Sequence, residues 1–458
     1  MKTPTWTLVL TATTSLMVAL DLLAVSTALT TIRLQLGASL ESLGWTLAAY
    51  NLALAVLLLP ASALGDRFGR RRMFGIGLAT FTAASVGCAL APSIGWLIAA
   101  RVVQGLGAAF VLPLGLALVT VAYPAARRGR AMGIAGGITG LATVAGPVLG
   151  GGITEALDWE WIFWLNVPIG VVTLILLRGH VAESRGHDTA IDASGLLLAT
   201  LGVLGLVWGL TRSSAPFALA GAALMAAFTI REWRRAQYFR VRSFAIGNLA
   251  TLLHGAIVLG PVFLMAQLFQ TGLGLSPLQA GLQLLPWTAT LLVVAPLAGA
   301  LADRIGRAPV MVIGFACACG GIVAFAYIVT HGRSYLALAV ALTIWGIGNS
   351  MIFPAVQSAI VDGLPSAAIG RSSGTNQMTR EVGGVLGIAA VTAVFSHTGG
   401  YDTASNFLHG FVPAVLLCAG LAVAGLLVSL LIPDRRTAPP ATAPADGDAV
   451  TVHGNPSS

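Results

Sequence analysis

Charge is scarce in this chain. Only 9% of its 458 residues are Asp, Glu, Lys or Arg, against roughly a quarter in an ordinary soluble domain. That shortage excludes a water-covered globule of this length, because its surface would need far more polar groups, whereas a bilayer accepts apolar surface directly. Lysine is almost missing: Lys2 stands alone among 25 basic residues, the rest being Arg. The net charge of +8 would suit a nucleic-acid binder if the arginines crowded one exposed domain. They fall instead in short clusters between apolar stretches, so no nucleic-acid partner is expected. The four cysteines, Cys88, Cys317, Cys319 and Cys418, all lie inside apolar stretches, which excludes a disulfide framework. No Walker loop, zinc-ligand cluster or nucleophile elbow occurs, so neither a metal nor a cofactor is expected and an enzyme is disfavoured.

What the chain has is hydrophobic length. Residues of the apolar classes make up 56% of it. They form fourteen runs long enough to cross about 30 Å of hydrocarbon at about 1.5 Å per residue, from 7–30 through to 406–432. The first run has no small-residue cleavage site behind it and reads as a retained span rather than a signal peptide. If the runs alternate in direction, one side of the membrane receives Arg67 to Arg72, Arg127 to Arg130, Arg178 with Arg185, Arg231 to Arg242, Arg304 with Arg307, Arg371, and Arg435 with Arg436. The other receives only Arg33, Arg212 and Arg333. Positive charge stays inside, so both termini are expected in the cytoplasm and the protein in the inner (cytoplasmic) membrane. The tail from Thr437 has almost no apolar bulk and is expected to be disordered.

A repeat organises the runs. Asp66-Arg67-Phe68-Gly69-Arg70 returns as Asp303-Arg304-Ile305-Gly306-Arg307, and Gly105-Leu106-Gly107 with Pro113 returns as Gly346-Ile347-Gly348 with Pro354. The expected fold is therefore an all-α integral membrane protein of fourteen transmembrane helices. Residues 1–177 and 244–432 form two six-helix halves, 178–243 supply a linker with two extra helices, and 433–458 are the tail. Parallel halves with a binding site near the midplane between them are a transporter architecture.

At these residues the chain resembles the major facilitator superfamily, and within it the fourteen-helix drug:proton antiporter branch. The resemblance extends to about residue 432. Leu64, Asp66, Arg67, Gly69, Arg70 and Arg71 match the family loop G-x-L-A-D-R-x-G-R-R, with Ser62 and Gly65 departing from it; the copy at Asp303, Arg304, Gly306 and Arg307 is more complete. Glycine permits the tight turn, and the carboxylate can pair with arginines or cap a helix in one of two conformations, as a gate requires. The alternative is an ordinary solvated positive loop. Gly133, Gly146, Pro147, Gly150 and Gly151 fit the helix-5 antiporter signature, with Ala142 in place of one glycine. Generic small-residue packing would look the same. The run Trp161-Ile162-Phe163-Trp164-Leu165-Asn166-Val167-Pro168-Ile169-Gly170 resembles the same branch.

Charges within the spans are costly unless paired or functional. The resemblance implies that Asp21 and Arg101 couple transport to protons, Asp21 as carrier and Arg101 as its tuner; the rival reading is a fixed bridge packing helices 1 and 4. Arg380 and Glu381 are adjacent on one helix, so each is expected to need a different partner, with a structural or gating role. His254 is a lone membrane histidine, expected to be a satisfied core group rather than a metal ligand. Tyr50, Asn51, Gln104, Gln267, Gln270, Trp287, Trp345 and Asn349 are candidates for a mixed aromatic and polar cavity. The resulting expectation is a monomeric, proton-coupled antiporter exporting a small, moderately hydrophobic drug, dye or secondary metabolite, cationic compounds included. An uptake symporter on the same fold is the alternative, with a membrane receptor or enzyme behind it.

Overall fold

The computed structural model of the protein describes residues 4–186, 192–211, 214–235, 241–331, 334–361 and 366–433. Arg212, Arg333, Arg435, Arg436 and the tail from 434 lie outside the described residues. Every regular element among them is helical, as lipid demands of a chain whose backbone groups must bond internally. The first seven segments are α1 Pro4–Leu36, α2 Leu40–Phe68, α3 Arg70–Ala89, α4 Ile94–Ala122, α5 Ala125–Ala156, α6 Trp161–Trp164 and α7 Asn166–His180. A hairpin follows, α8 Ala193–Thr211 and α9 Ala215–Arg235. The rest are α10 Arg242–Gln267, α11 Pro277–Gln283, α12 Leu285–Thr288, α13 Thr290–Ile305, α14 Arg307–His331, α15 Tyr335–Val361, α16 Ser366–Thr398 and α17 Ala404–Ser429. Twelve stretches of the described residues are long and apolar enough to cross a membrane; the hairpin is not among them, although Leu197–Leu206 within it is apolar.

Two of the fourteen apolar runs of the sequence, 161–177 and 278–301, are broken. Residues 161–177 divide into α6 and α7 at Leu165, and 278–301 divide into α11, α12 and α13. Proline explains the breaks at Leu165 and Leu284: Pro168 has no N–H for the Trp164 carbonyl and Pro286 none for that of Leu282. Elsewhere Pro60, Pro113, Pro147, Pro261 and Pro354 stay inside intact helices. The two copies of the Asp-Arg loop end α2 and α13 alike, on Gly69 (φ 106°) and Gly306 (φ 97°), a region where a Cβ would strain the chain.

The repeat is visible in packing. Gly105 of α4 lies against the Tyr50 carbonyl and Gly346 of α15 against that of Trp287. Gly107 meets Gly77 and Phe81, while Gly348 meets Gly314 and Ala318. The glycines are 241 positions apart (105 to 346, 107 to 348) and their partners 237 (50 to 287, 77 to 314, 81 to 318).

Contacts between α1–α7 and α10–α17 gather at one end. Gly44 packs against Thr392 and Phe263, and Gly151 against Pro277. Gln270 donates to the Thr27 carbonyl at 2.7 Å. The Leu278 N–H donates to Glu155 at 3.0 Å, and the Arg33 guanidinium lies 4.2 Å from the centroid of the Tyr401 ring. This end is opposite the arginine-rich turns. Toward those turns, Gly133, Gly136 and Gly137 of α5 have open space above them.

Candidate functional site

Five elements of the first repeat converge on a buried charge. Asp21 of α1 is 1% exposed and Arg101 of α4 is fully buried. The two form an ion pair through Arg101 Nη1. The second carboxylate oxygen of Asp21 accepts from Gln104 Nε2 at 2.9 Å and from Asn166 Nδ2 at 2.9 Å. Gln104 also accepts from Arg101 Nη1 at 2.7 Å and donates to Ser85 Oγ of α3 at 2.9 Å. Arg101 Nε reaches the Thr46 carbonyl of α2 at 3.3 Å, and the guanidinium stacks 4.2 Å over the Tyr50 ring. A buried ion pair offsets its desolvation only when such extra hydrogen bonds fill the remaining valences. One gap is left: Arg101 Nη2 has no hydrogen-bond partner among the described residues.

Asp21, Arg101, Tyr50 and Gln104 are thus brought together. Asn166, Ser85 and Thr46 were not singled out from sequence as members of the group. Asn166 carried a signal, being the one amide inside the Trp161 to Gly170 run; it opens α7 just past the α6 break, which places it beside Asp21. Ser85 and Thr46 carried none, since such residues usually bond back within their own helix.

The remaining cavity candidates divide. Asn51 donates to the Leu47 carbonyl within its own helix. Gln267 accepts from the Tyr401 hydroxyl, and Gln270 spans to α1, so both belong to the closed end. Trp287 and Trp345 pack together, centroids 5.9 Å apart. Asn349 lies one turn beyond Trp345 on α15. The indole N–H groups of both tryptophans and both amide atoms of Asn349 have no hydrogen-bond partner among the described residues. Nε2 of buried His254 likewise has none, although the ring also has a hydrogen bond to the Asn349 backbone, so the expected core histidine is satisfied on one side only. No group of three His, Cys, Asp or Glu that could hold a metal occurs among the described residues.

Arg380 and Glu381 also correct an expectation. They pair with each other at 2.9 Å, because the guanidinium stem is long enough to wrap round the helix to its neighbour. Gln377 adds a bond to the same Glu381 oxygen at 2.9 Å.

The first copy of the repeated loop is tied down. Asp66 accepts from Arg70 at 2.7 Å, Gly186 N–H donates to the Asp66 carbonyl at 3.0 Å, and Glu183 accepts from the N–H groups of Arg71 and Arg72. Arg67 lies over the Phe68 ring. In the second copy, Asp303 and Arg304 are exposed and Arg307 is half-buried. In α5, Gly146 and Gly150 admit the α1 backbone near Leu23 and Ala24, while the Pro147 carbonyl faces Gly281 of α11.

The sequence profile of the Major Facilitator Superfamily matches residues 11–388 and 247–454. Similar proteins include the tetracenomycin C resistance and export protein of Streptomyces glaucescens, 32% identical over 84% of this chain and 74% of that one. The methylenomycin A resistance protein of Streptomyces coelicolor is 31% identical over 93% and 92%, and the cephamycin export protein CmcT of Amycolatopsis lactamdurans 33% over 94% and 92%. Among solved structures, a POT family transporter in complex with 5-aminolevulinic acid superposes with a TM-score of 0.71 at 14% identity, covering 93% of this chain and 95% of that one. A D-xylose-proton symporter gives 0.67 at 17%, covering 93% and 97%. At such identities the structures speak for the fold alone.

Proposed function

The chain belongs to the major facilitator superfamily, a transporter family, and from that premise we propose that it exports a small, moderately hydrophobic drug or secondary metabolite by proton-coupled antiport. The names of the relatives, which include export proteins for tetracenomycin C and cephamycin, support the cargo class and direction. The observation that carries the coupling is the enclosed Asp21 carboxylate with Arg101, Gln104 and Asn166 around it. Protonating Asp21 removes the counter-charge of Arg101, and a buried guanidinium without a partner is costly. The protonated cluster therefore favours a different arrangement of α1 and α4, in which Arg101 meets water or substrate. A proton crossing 100 mV supplies about 2.3 kcal/mol to drive the cycle.

On this reading the arginine-rich turns and both termini face the cytoplasm of the inner membrane. The contacts between the halves described above then lie at the outer end, as an inward-facing conformation requires. Residues 1–177 and 244–432 rock against each other. Asp66 and Asp303 would bridge the halves chiefly in the outward-facing state, while the hairpin α8–α9, which packs against α2 and α16, raises the count of spans to fourteen. The protein works as a monomer with protons as its coupling ion and no cofactor. A compound-susceptibility screen of cells with and without the gene identifies a cargo. Energised inverted vesicles then decide direction: an exporter fills them, and an uptake symporter leaves them empty.

A further inference from the structure

Where α3 and α7 meet at the arginine-rich end, the structure holds a groove of about 750 Å³, within the roughly 300–1,000 Å³ of small-ligand sites. Its walls are apolar: Ile76 and Ala79 from α3, Leu174 from α7. Its mouth is cationic, formed by Arg71, Arg72 and Arg178 with Glu183 as the one acid. Glu183 is already engaged. Its oxygens accept from the backbone N–H of Arg71 at 2.9 Å, of Arg72 at 3.2 Å and of Ser184 at 3.0 Å. The Arg71 guanidinium is engaged too, donating to the Val181 carbonyl at 3.1 Å and lying 3.7 Å from Glu183. Arg72 and Arg178 are exposed, and the lining retains two more positive charges than negative ones.

The flank that continues from the groove is apolar and open: Ile175 is 72% exposed and Val172 54%. On a chain that crosses a membrane, that surface meets acyl chains. An aliphatic channel ending in guanidinium groups at one edge of the hydrophobic belt is complementary to a lipid whose headgroup is negative, and basic pockets between membrane helices recognise such headgroups. We propose that this groove binds an anionic phospholipid, one acyl chain lying along Ile76, Ala79 and Leu174 and the phosphate held by Arg72 and Arg178. A bound lipid there would clamp α3 to the segment 181–186 that ties down the first Asp-Arg loop.

Native mass spectrometry of the full-length protein, delipidated in detergent, tests this with phosphatidylglycerol, phosphatidylcholine and inorganic phosphate as probes. The expected result is preferential retention of one phosphatidylglycerol. Arg72→Gln with Arg178→Gln should lower its apparent affinity roughly 25-fold, the loss of two surface guanidinium contacts. Ala79→Trp, which fills the groove and keeps all three arginines, should also lower retention. Arg127→Gln with Arg130→Gln, the same charge loss elsewhere at that end, should not. The proposal is overturned if phosphatidylcholine is retained equally, if inorganic phosphate displaces the lipid, if Ala79→Trp changes nothing, or if both arginine pairs act alike.

Discussion

The two repeats share a scaffold and put opposite chemistry on it. In α1–α7, Gly105 rests on the Tyr50 carbonyl, and the turn before it brings Arg101 and Gln104 to Asp21. In α10–α17, Gly346 rests on the Trp287 carbonyl, but the residues at the register of Arg101 and Gln104 are Leu342 and Trp345, both fully buried. At this register charge occurs in the first repeat alone, where it is compensated almost group by group; the buried Glu381 of the second pairs with Arg380 elsewhere, on α16. The other side is aromatic and leaves donors uncommitted: the indoles of Trp287 and Trp345 and the amide of Asn349. A single backbone contact, repeated, can therefore serve both roles that antiport needs. On the proposed mechanism one repeat would hold the proton-sensitive cluster, and the other the groups that meet a cargo.

The strongest way to break this contrast is to give Arg101 the identity of its counterpart. Arg101→Leu strands a buried carboxylate and should cost about 3–5 kcal/mol, read as a lower unfolding midpoint in detergent. Adding Asp21→Asn should recover most of that stability while export stays uncoupled from the proton gradient. A stable single mutant would show that the pair is not energetically linked.

Next come the glycines that make the scaffold common to both. A Cβ at Gly107 would come 2.5 Å from the Phe81 nitrogen, and one at Gly348 would collide with that of Ala318. Gly107→Ala and Gly348→Ala should each destabilise by about 1–3 kcal/mol in the same unfolding assay. Tolerance at only one site would mean the repeats are not equivalently packed.

Trp345→Phe sharpens the other side of the comparison. It should raise the KM for the exported compound a few-fold, about the worth of one hydrogen bond of ~1 kcal/mol, without altering the number of protons exchanged. Gln104→Leu should do the reverse; transport kinetics in inverted vesicles separate the two.

The smallest effect is expected in the hairpin that neither repeat contains. Asp192 is pushed down to about 2 by its hydrogen bonds from Arg231. A depressed carboxylate contributes stability above its unfolded value and loses it as pH falls through the folded one, so the bridge weakens only between about pH 4 and 2. Because Asp192 is half exposed, Asp192→Asn should cost less than about 1 kcal/mol at pH 7, measured by protease sensitivity of the segment.

What the sequence made legible follows the same physics. The repeat could be read because a backbone-to-backbone approach admits only glycine, at 105, 107, 346 and 348. The pairing of Asp21 with Arg101 could be read because an intramembrane charge needs an opposite one at its depth. Asn166 and Ser85 stayed hidden, since uncharged polar residues bond locally in most helices and only the folded bundle shows which ones converge. Helix breaks were ambiguous for a related reason: Pro168 and Pro286 interrupt helices, whereas Pro60 and Pro113 do not, and neighbouring contacts decide which. The Arg380–Glu381 pair was misjudged because backbone spacing ignores side-chain reach.

Proton release on substrate binding tests the central claim most directly. Purified protein in weakly buffered detergent with a pH indicator is mixed with a cargo found in the susceptibility screen. The account predicts that wild type releases protons on binding, while Asp21→Asn binds the same compound with similar affinity and releases none. Undiminished release from Asp21→Asn would contradict it.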